Sequence, residues 1–132
     1  VFCCGNGGSA AIANTWQTDF YKGIRAGTPL LPRVLSLSAE ASTLTALGND
    51  FGYDRVFSHQ LESFSRPGDG LVTISSSGNS PNILSALTSA RNLGVHTIAL
   101  VGFDGGKAKE LADVALHVRA QNYGVVEDLH QS

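Results

Sequence analysis

The chain has no methionine, one tryptophan and only two cysteines. Cys3 and Cys4 are adjacent and cannot build a disulfide framework. Their place in an apolar run reads as buried packing in a reducing, cytoplasmic setting. No apolar run approaches the roughly 20 residues of a membrane span, and no signal-peptide pattern is visible. A membrane role is not expected. Charge is scarce at 15%, and neither sign dominates, with 9 Lys and Arg against 11 Asp and Glu. The net charge of -2 and pI near 6.0 lack the basic stripe of a general nucleic-acid binder. Internal repeats and low-complexity linkers are absent as well. What remains is 132 residues with 42% hydrophobic content, the size and composition of one globular domain.

Fifteen glycines are present, and several gather in two loops. Gly5-Asn6-Gly7-Gly8-Ser9 follows the apolar run Val1–Cys4, and Ser75-Ser76-Ser77-Gly78-Asn79-Ser80 follows Leu71–Ile74. Each leads into a helical pattern, Ala10–Lys22 and Pro81–Leu93. A strand, a glycine or serine turn and a helix N-terminus form an anion cradle, because free N–H groups and the positive dipole end face the ligand. Serine hydroxyls add donors for phosphate and sugar oxygens without a metal or lysine. Two such loops point to one phosphorylated, polyhydroxylated ligand.

Strand and helix patterns alternate throughout. Strands are expected at Val1–Cys4, Arg33–Leu37, Leu71–Ser75, Thr97–Gly102 and Val114–Val118. Helices are expected at Ala10–Lys22, Ala39–Leu47, Arg55–Phe64, Pro81–Leu93 and Lys107–Leu111, with another beginning at Glu127–Ser132. Ser80 before Pro81 is an N-cap signal, Asp54 a cap for the next helix, and Gly94 a C-terminal stop. Alternation of this kind gives a parallel sheet with helices on both faces, a three-layer α/β/α sandwich. Its ligands bind beyond the carboxyl ends of the strands, where both loops fall.

Gly5-x-Gly7-x-x-Ala10 also fits a dinucleotide fingerprint, but no acidic residue closes strand two, since Asp19 lies in a helix and Glu40 comes too late. A P-loop is excluded by the missing Gly-Lys-Ser/Thr. Glu127-x-x-His130 puts a carboxylate and an imidazole on one helix face, a spacing that binds metals in bundles but also suits an acidic first turn with an exposed histidine. His59, His96 and His117 have no evident partner, and Glu40 and Glu62 read as ordinary helix charges.

Four ordered segments carry a resemblance: Cys4–Ala11, Gly48-Asn49-Asp50-Phe51-Gly52, Ile74–Ser80 and Asp104-Gly105-Gly106-Lys107. Over nearly the whole chain the sequence resembles the phosphoheptose isomerases of the sugar isomerase (SIS) domain superfamily. That resemblance implies a single SIS domain over 1–132, flavodoxin-like with a five-stranded parallel sheet. It also implies N-terminal helices and most of a C-terminal helix outside this sequence. The implied activity is isomerisation of sedoheptulose 7-phosphate to D-glycero-D-manno-heptose 7-phosphate by a homotetramer, often with zinc. Asn6, Gly7, Gly8, Ser9, Asn49, Asp50, Ser75, Ser76, Ser77, Ser80 and Glu127 would then bind substrate. The catalytic carboxylate falls at Asp19, and metal contacts fall at Asp19 and Glu127. Thr15 stands where the family has a zinc-binding histidine. The alternatives are a non-catalytic SIS protein, binding sugar phosphates or a replication-initiator protein, and an isomerase of another sugar phosphate.

Overall fold

The computed structural model describes all residues, Val1–Ser132. Five parallel strands run β1 (Phe2–Gly5), β2 (Leu35–Ser36), β3 (Gly70–Ser75), β4 (His96–Val101) and β5 (Val114–His117), in spatial order β2-β1-β3-β4-β5. Helices α1 (Gly8–Thr18), α2 (Ala41–Phe51), α3 (Ser58–Phe64), α4 (Pro81–Asn92), α5 (Gly106–Leu111) and α6 (Tyr123–Gln131) cover the sheet. This is the expected α/β/α sandwich in flavodoxin-like order. In such a sheet the strand order reverses between β1 and β3, and ligands bind at that switch point. The glycine loop leaves β1 and the serine loop leaves β3, so the topology brings both to one crevice. None of the helices is long and apolar enough to cross a membrane.

Period-two alternation along the strands feeds two unequal cores. Phe2, Cys4, Leu71, Ala99 and Val101 face α3, α4 and α5 and join a cluster of 15 buried residues. Cys3, Ile74 and Leu100 face Ile12 and Ala13 of α1 in a cluster of only five. On that thinner side Ile98, Leu116 and Leu129 remain exposed. Both cysteines are free and buried, as expected. Desolvation pushes the Cys3 thiol up to about 11 and the Cys4 thiol higher still, which leaves both protonated and inert.

Several boundaries differ from the sequence expectation. The first helix regularises only to Thr18, and Asp19–Gly23 form a widened turn in which Ile24 N–H bonds the Asp19 carbonyl at 3.1 Å. Strand β2 shrinks to two residues because side chains replace its next ladder bond, with Gly5 N–H on Ser38 Oγ at 3.1 Å and Gln60 Nε2–H on the Leu37 carbonyl at 3.0 Å, while α1 covers its outer edge. Gln17 Oε1 accepts from Ser36 N–H at 2.6 Å, and Ser36 Oγ bonds Asn14 Oδ1 at 2.6 Å. Glu40 is not an idle helix charge but the N-cap of α2, accepting from Ser42 N–H at 3.1 Å. Asp54 caps nothing: Gly52, at φ 94°, leads into a 3₁₀ turn at Tyr53–Arg55, and α3 starts at Ser58. Gly94 does close α4, in a Schellman motif with Val95 N–H on Ala90 O at 2.9 Å and Gly94 N–H on Arg91 O at 3.3 Å. The last helix begins four residues before Glu127 (at Tyr123, capped by Asn122 Oδ1 on Val125 N–H at 3.2 Å), so Glu127 sits in its second turn.

Asp113 ties β4 to the turn before β5. Its Oδ2 accepts from Thr97 N–H at 2.8 Å and Thr97 Oγ1 at 2.9 Å, and these bonds hold its carboxyl below the usual range. A depressed folded pKa contributes stability above the unfolded value, near 4, and loses it as pH falls through the folded one. Asp113→Asn should therefore lower the urea midpoint more at pH 7 than at pH 3, where protonation begins to remove the contribution. An equal gap at both pH values would refute this.

Candidate functional site

At the β1/β3 switch point a polar cavity of about 130 Å³ is lined by Asn6, Ser9, Ile74, Ser75, Ser76, Ser77, Ser80, Tyr123 and Glu127. The two loops thus form one site, together with the second turn of α6.

The serine loop is shaped from behind by α5. Gly78 has φ 63°, and a Cβ there would collide with the Gly105 carbonyl. Ala108 N–H bonds Gly78 O at 2.9 Å, Lys107 N–H bonds Asn79 Oδ1 at 3.1 Å, and Gly102 N–H bonds Ser76 O at 2.9 Å. The Asp104–Lys107 segment therefore serves as the clamp of the serine loop. Its glycines allow the close backbone approach.

The hydroxyls divide by role. Ser75 Oγ accepts from Gly78 N–H at 3.2 Å, and Ser77 Oγ accepts from Asn79 N–H at 3.3 Å. These two brace the turn and keep their own protons to donate. Ser76 is buried and its hydroxyl has no partner. Ser80 is the N-cap of α4, yet its side chain makes no capping bond. Two uncommitted hydroxyls beside the N-terminus of a 12-residue helix are suited to an oxyanion.

The glycine loop differs. The N-terminus of α1 already faces a carboxylate, since a Cβ on Gly8 would lie 2.5 Å from Glu127 Oε2. Glu127 thus complements the α1 dipole, whereas no carboxylate faces the serine loop in the same way. Asn6 is held by Asn82 and Tyr53, with Asn6 Nδ2–H on Asn82 Oδ1 at 2.9 Å, Asn82 Nδ2–H on Asn6 Oδ1 at 2.8 Å, and Tyr53 O–H on Asn6 Oδ1 at 3.1 Å. Tyr123 completes the wall, packed edge-on against Phe103 at 4.7 Å. The sequence reading missed Asn82, Tyr53 and Tyr123. Asn82, one residue past the Ser80-Pro81 cap, was the position a sequence signal could have flagged.

The other expected residues stand apart within this chain. Asn49 and Asp50 are exposed at the end of α2 and bond each other at 2.8 Å. Asp19 is exposed in the widened turn after α1 and lines no part of the cavity. Thr15 is exposed too, its hydroxyl spent on the Ala11 carbonyl at 3.0 Å. His130 is buried rather than exposed, 4% accessible, with both ring nitrogens unpartnered. Burial holds its pKa below the usual histidine value, so the ring is neutral at pH 7. His117 Nε2 lies 2.8 Å from the Phe103 carbonyl.

Zinc does not fit the donors gathered by this chain. Zinc takes imidazole, thiolate or carboxylate ligands, usually four. Nowhere do three His, Cys, Asp or Glu side chains converge. Glu127 is in the cavity, Asp19 is not, and the Thr15 hydroxyl is a poor substitute for imidazole.

The fold and loops define a sugar-phosphate-type α/β domain, and comparison with known proteins agrees. The SIS domain family matches residues 1–102. The chain is 45% identical to the phosphoheptose isomerase of Aliarcobacter butzleri over 98% of its length, covering 68% of that protein. It is 42% identical to that of Nitratidesulfovibrio vulgaris, covering 98% of this chain and 62% of that one. Among solved structures, phosphoheptose isomerase from Neisseria gonorrhoeae superposes with a TM-score of 0.90 at 39% identity, over 98% of this chain and 68% of its own. The chain belongs to the SIS domain family, in its phosphoheptose isomerase branch. It spans about two thirds of the length of these relatives.

Proposed function

We propose that the chain forms the substrate-binding domain of an enzyme that isomerises sedoheptulose 7-phosphate to D-glycero-D-manno-heptose 7-phosphate. The observation that carries this reading is the convergence of uncommitted serine hydroxyls, Asn6 and Glu127 in one polar cavity. Ser76, Ser77 and Ser80, with the α4 N-terminus, anchor the phosphate, which fixes the far end of the sugar. Isomerisation moves a proton between C1 and C2 through an enediol, which needs a base and a donor for the developing oxyanion. Asn6 is placed to donate, while Glu127 faces the glycine loop.

Asp19 is the proposed base, acting in the pocket of a neighbouring copy. Ten helical steps at about 1.5 Å each carry the chain roughly 15 Å from Gly8 to Thr18, just before Asp19. The cavity of about 130 Å³ is smaller than the ~300–1000 Å³ of complete small-molecule pockets. The exposed Ile98, Leu116 and Leu129 on the thin side of the sheet supply apolar surface for assembly. A homotetramer is the proposed form, and the free buried thiols suit a reducing, cytoplasmic setting. The residues present argue for chemistry by carboxylate and hydrogen bond.

The test is turnover. The wild-type protein should convert sedoheptulose 7-phosphate to an aldose phosphate detectable by NMR. Asp19→Asn should cut kcat by at least about 100-fold with little change in phosphate affinity. Turnover by Asp19→Asn at the wild-type rate would remove Asp19 from the mechanism, and an inactive wild-type protein would defeat the reading as a whole.

A further inference from the structure

We propose that Asn82 is a positioning residue, which with Tyr53 holds Asn6 so that it offers the sugar one N–H donor and no acceptor. This rests on the sugar-phosphate reading above and specifies how the non-phosphate end is recognised.

Asn82 is only 2% accessible, yet its amide serves neither its own helix nor the sheet. A buried amide is tolerated only when hydrogen-bonded. Asn82 meets that demand through a reciprocal pair with Asn6, 76 residues away in sequence. The pair joins the serine-loop helix to the glycine loop and thereby fixes the spacing of the two walls of the cavity.

The valences of Asn6 can be counted. Its amide has two acceptor lone pairs and two N–H donors. Asn82 Nδ2–H and Tyr53 O–H occupy the two lone pairs, and Asn82 Oδ1 takes one N–H. One N–H is left. Asn6 lines the cavity beside Ser76 and Ser80, so that N–H is available to a ligand oxygen. An oxygen that gains electron density during reaction, such as a carbonyl, is the acceptor best matched to it. Tyr53 adds a second effect. It sits in the turn directly after α2, so its bond to Asn6 ties the exposed end of that helix, with Asn49 and Asp50, to the pocket.

A merely structural Asn82 would support all ligands alike, whereas a positioning one would discriminate between phosphate and sugar phosphate. Calorimetry on the full chain with inorganic phosphate and sedoheptulose 7-phosphate as separate probes decides this. For Asn82→Leu, phosphate affinity should stay within about twofold of wild type, while sugar-phosphate affinity falls at least about tenfold. Tyr53→Phe should act in the same direction at about threefold. Tyr53 is 59% exposed, so this variant settles the matter if Asn82→Leu does not fold. A parallel fall for both probes, or an unchanged sugar-phosphate affinity, would overturn the positioning role. A wild-type protein that binds the two probes equally would instead overturn the sugar-phosphate reading, and this inference with it.

Discussion

Gly78→Ala is expected to unfold the serine loop and lower the stability of the whole domain by about 3 kcal/mol. Two effects add. Gly78 sits at φ 63°, where a side chain strains the backbone by about 1–2 kcal/mol. Its new Cβ would also collide with the Gly105 carbonyl and come within 3.2 Å of Gly106 Cα. Both are backbone atoms, so no side chain can swing aside, and overpacking of that kind adds about 1–3 kcal/mol. For 132 residues the loss corresponds to a drop of about 10 °C in Tm. Relaxation would separate α5 from the serine loop and break the Ala108-to-Gly78 bond, so phosphate binding should disappear as well. Thermal unfolding and phosphate calorimetry on one preparation check both. A variant with wild-type Tm and affinity would show that the loop does not depend on the α5 clamp.

That clamp illustrates what the sequence could and could not disclose. The alternation of apolar runs and helical patterns gave the layers, because a parallel sheet requires covered faces and helical crossovers. The two loops were legible because glycine and serine clusters after strands have few other uses. Resemblance marked Asp104–Lys107, but its physical task became visible only when α5 was seen to receive the Gly78 carbonyl. Errors concentrated where tertiary contacts override local signals. Asp54 looked like a cap, yet Gly52 at φ 94° sends the chain into a 3₁₀ turn first. Arg33–Leu37 looked like a five-residue strand, but the Ser38 hydroxyl takes the Gly5 N–H and Gln60 takes the Leu37 carbonyl, which cuts the ladder short. His130 looked exposed because a helix read only from Glu127 shows no burial pattern, whereas α6 already begins at Tyr123 and turns it inward with Val126. Tyr53 and Asn82 escaped notice for a plainer reason, since hydrogen bonds across 47 and 76 residues leave no local trace.

The second large effect separates binding from stability. Ser76→Ala with Ser80→Ala should weaken phosphate binding at least about 100-fold while leaving the domain as stable as wild type or slightly more so. Each hydroxyl donates to a charged oxygen only when ligand is present, and such a bond contributes about 1.5–3 kcal/mol. Two of them give about 3–6 kcal/mol, or two to four powers of ten in affinity. In the free protein neither hydroxyl contributes to folding. Ser76 Oγ is buried without a partner, a state that disfavours the fold by about 1 kcal/mol or more, which alanine relieves. Ser80 holds the N-cap position without a capping bond, and Pro81 at the first helical position maintains the helix start in its absence. Ser75→Ala is the contrasting control, because its Oγ accepts the Gly78 N–H at 3.2 Å and its loss should reduce affinity and Tm together. Opposite signs for the double variant, with parallel losses for the control, would identify Ser76 and Ser80 as groups held ready for an anion. A double variant that loses stability but retains phosphate would place the anion site elsewhere in the cavity and return both serines to a structural role.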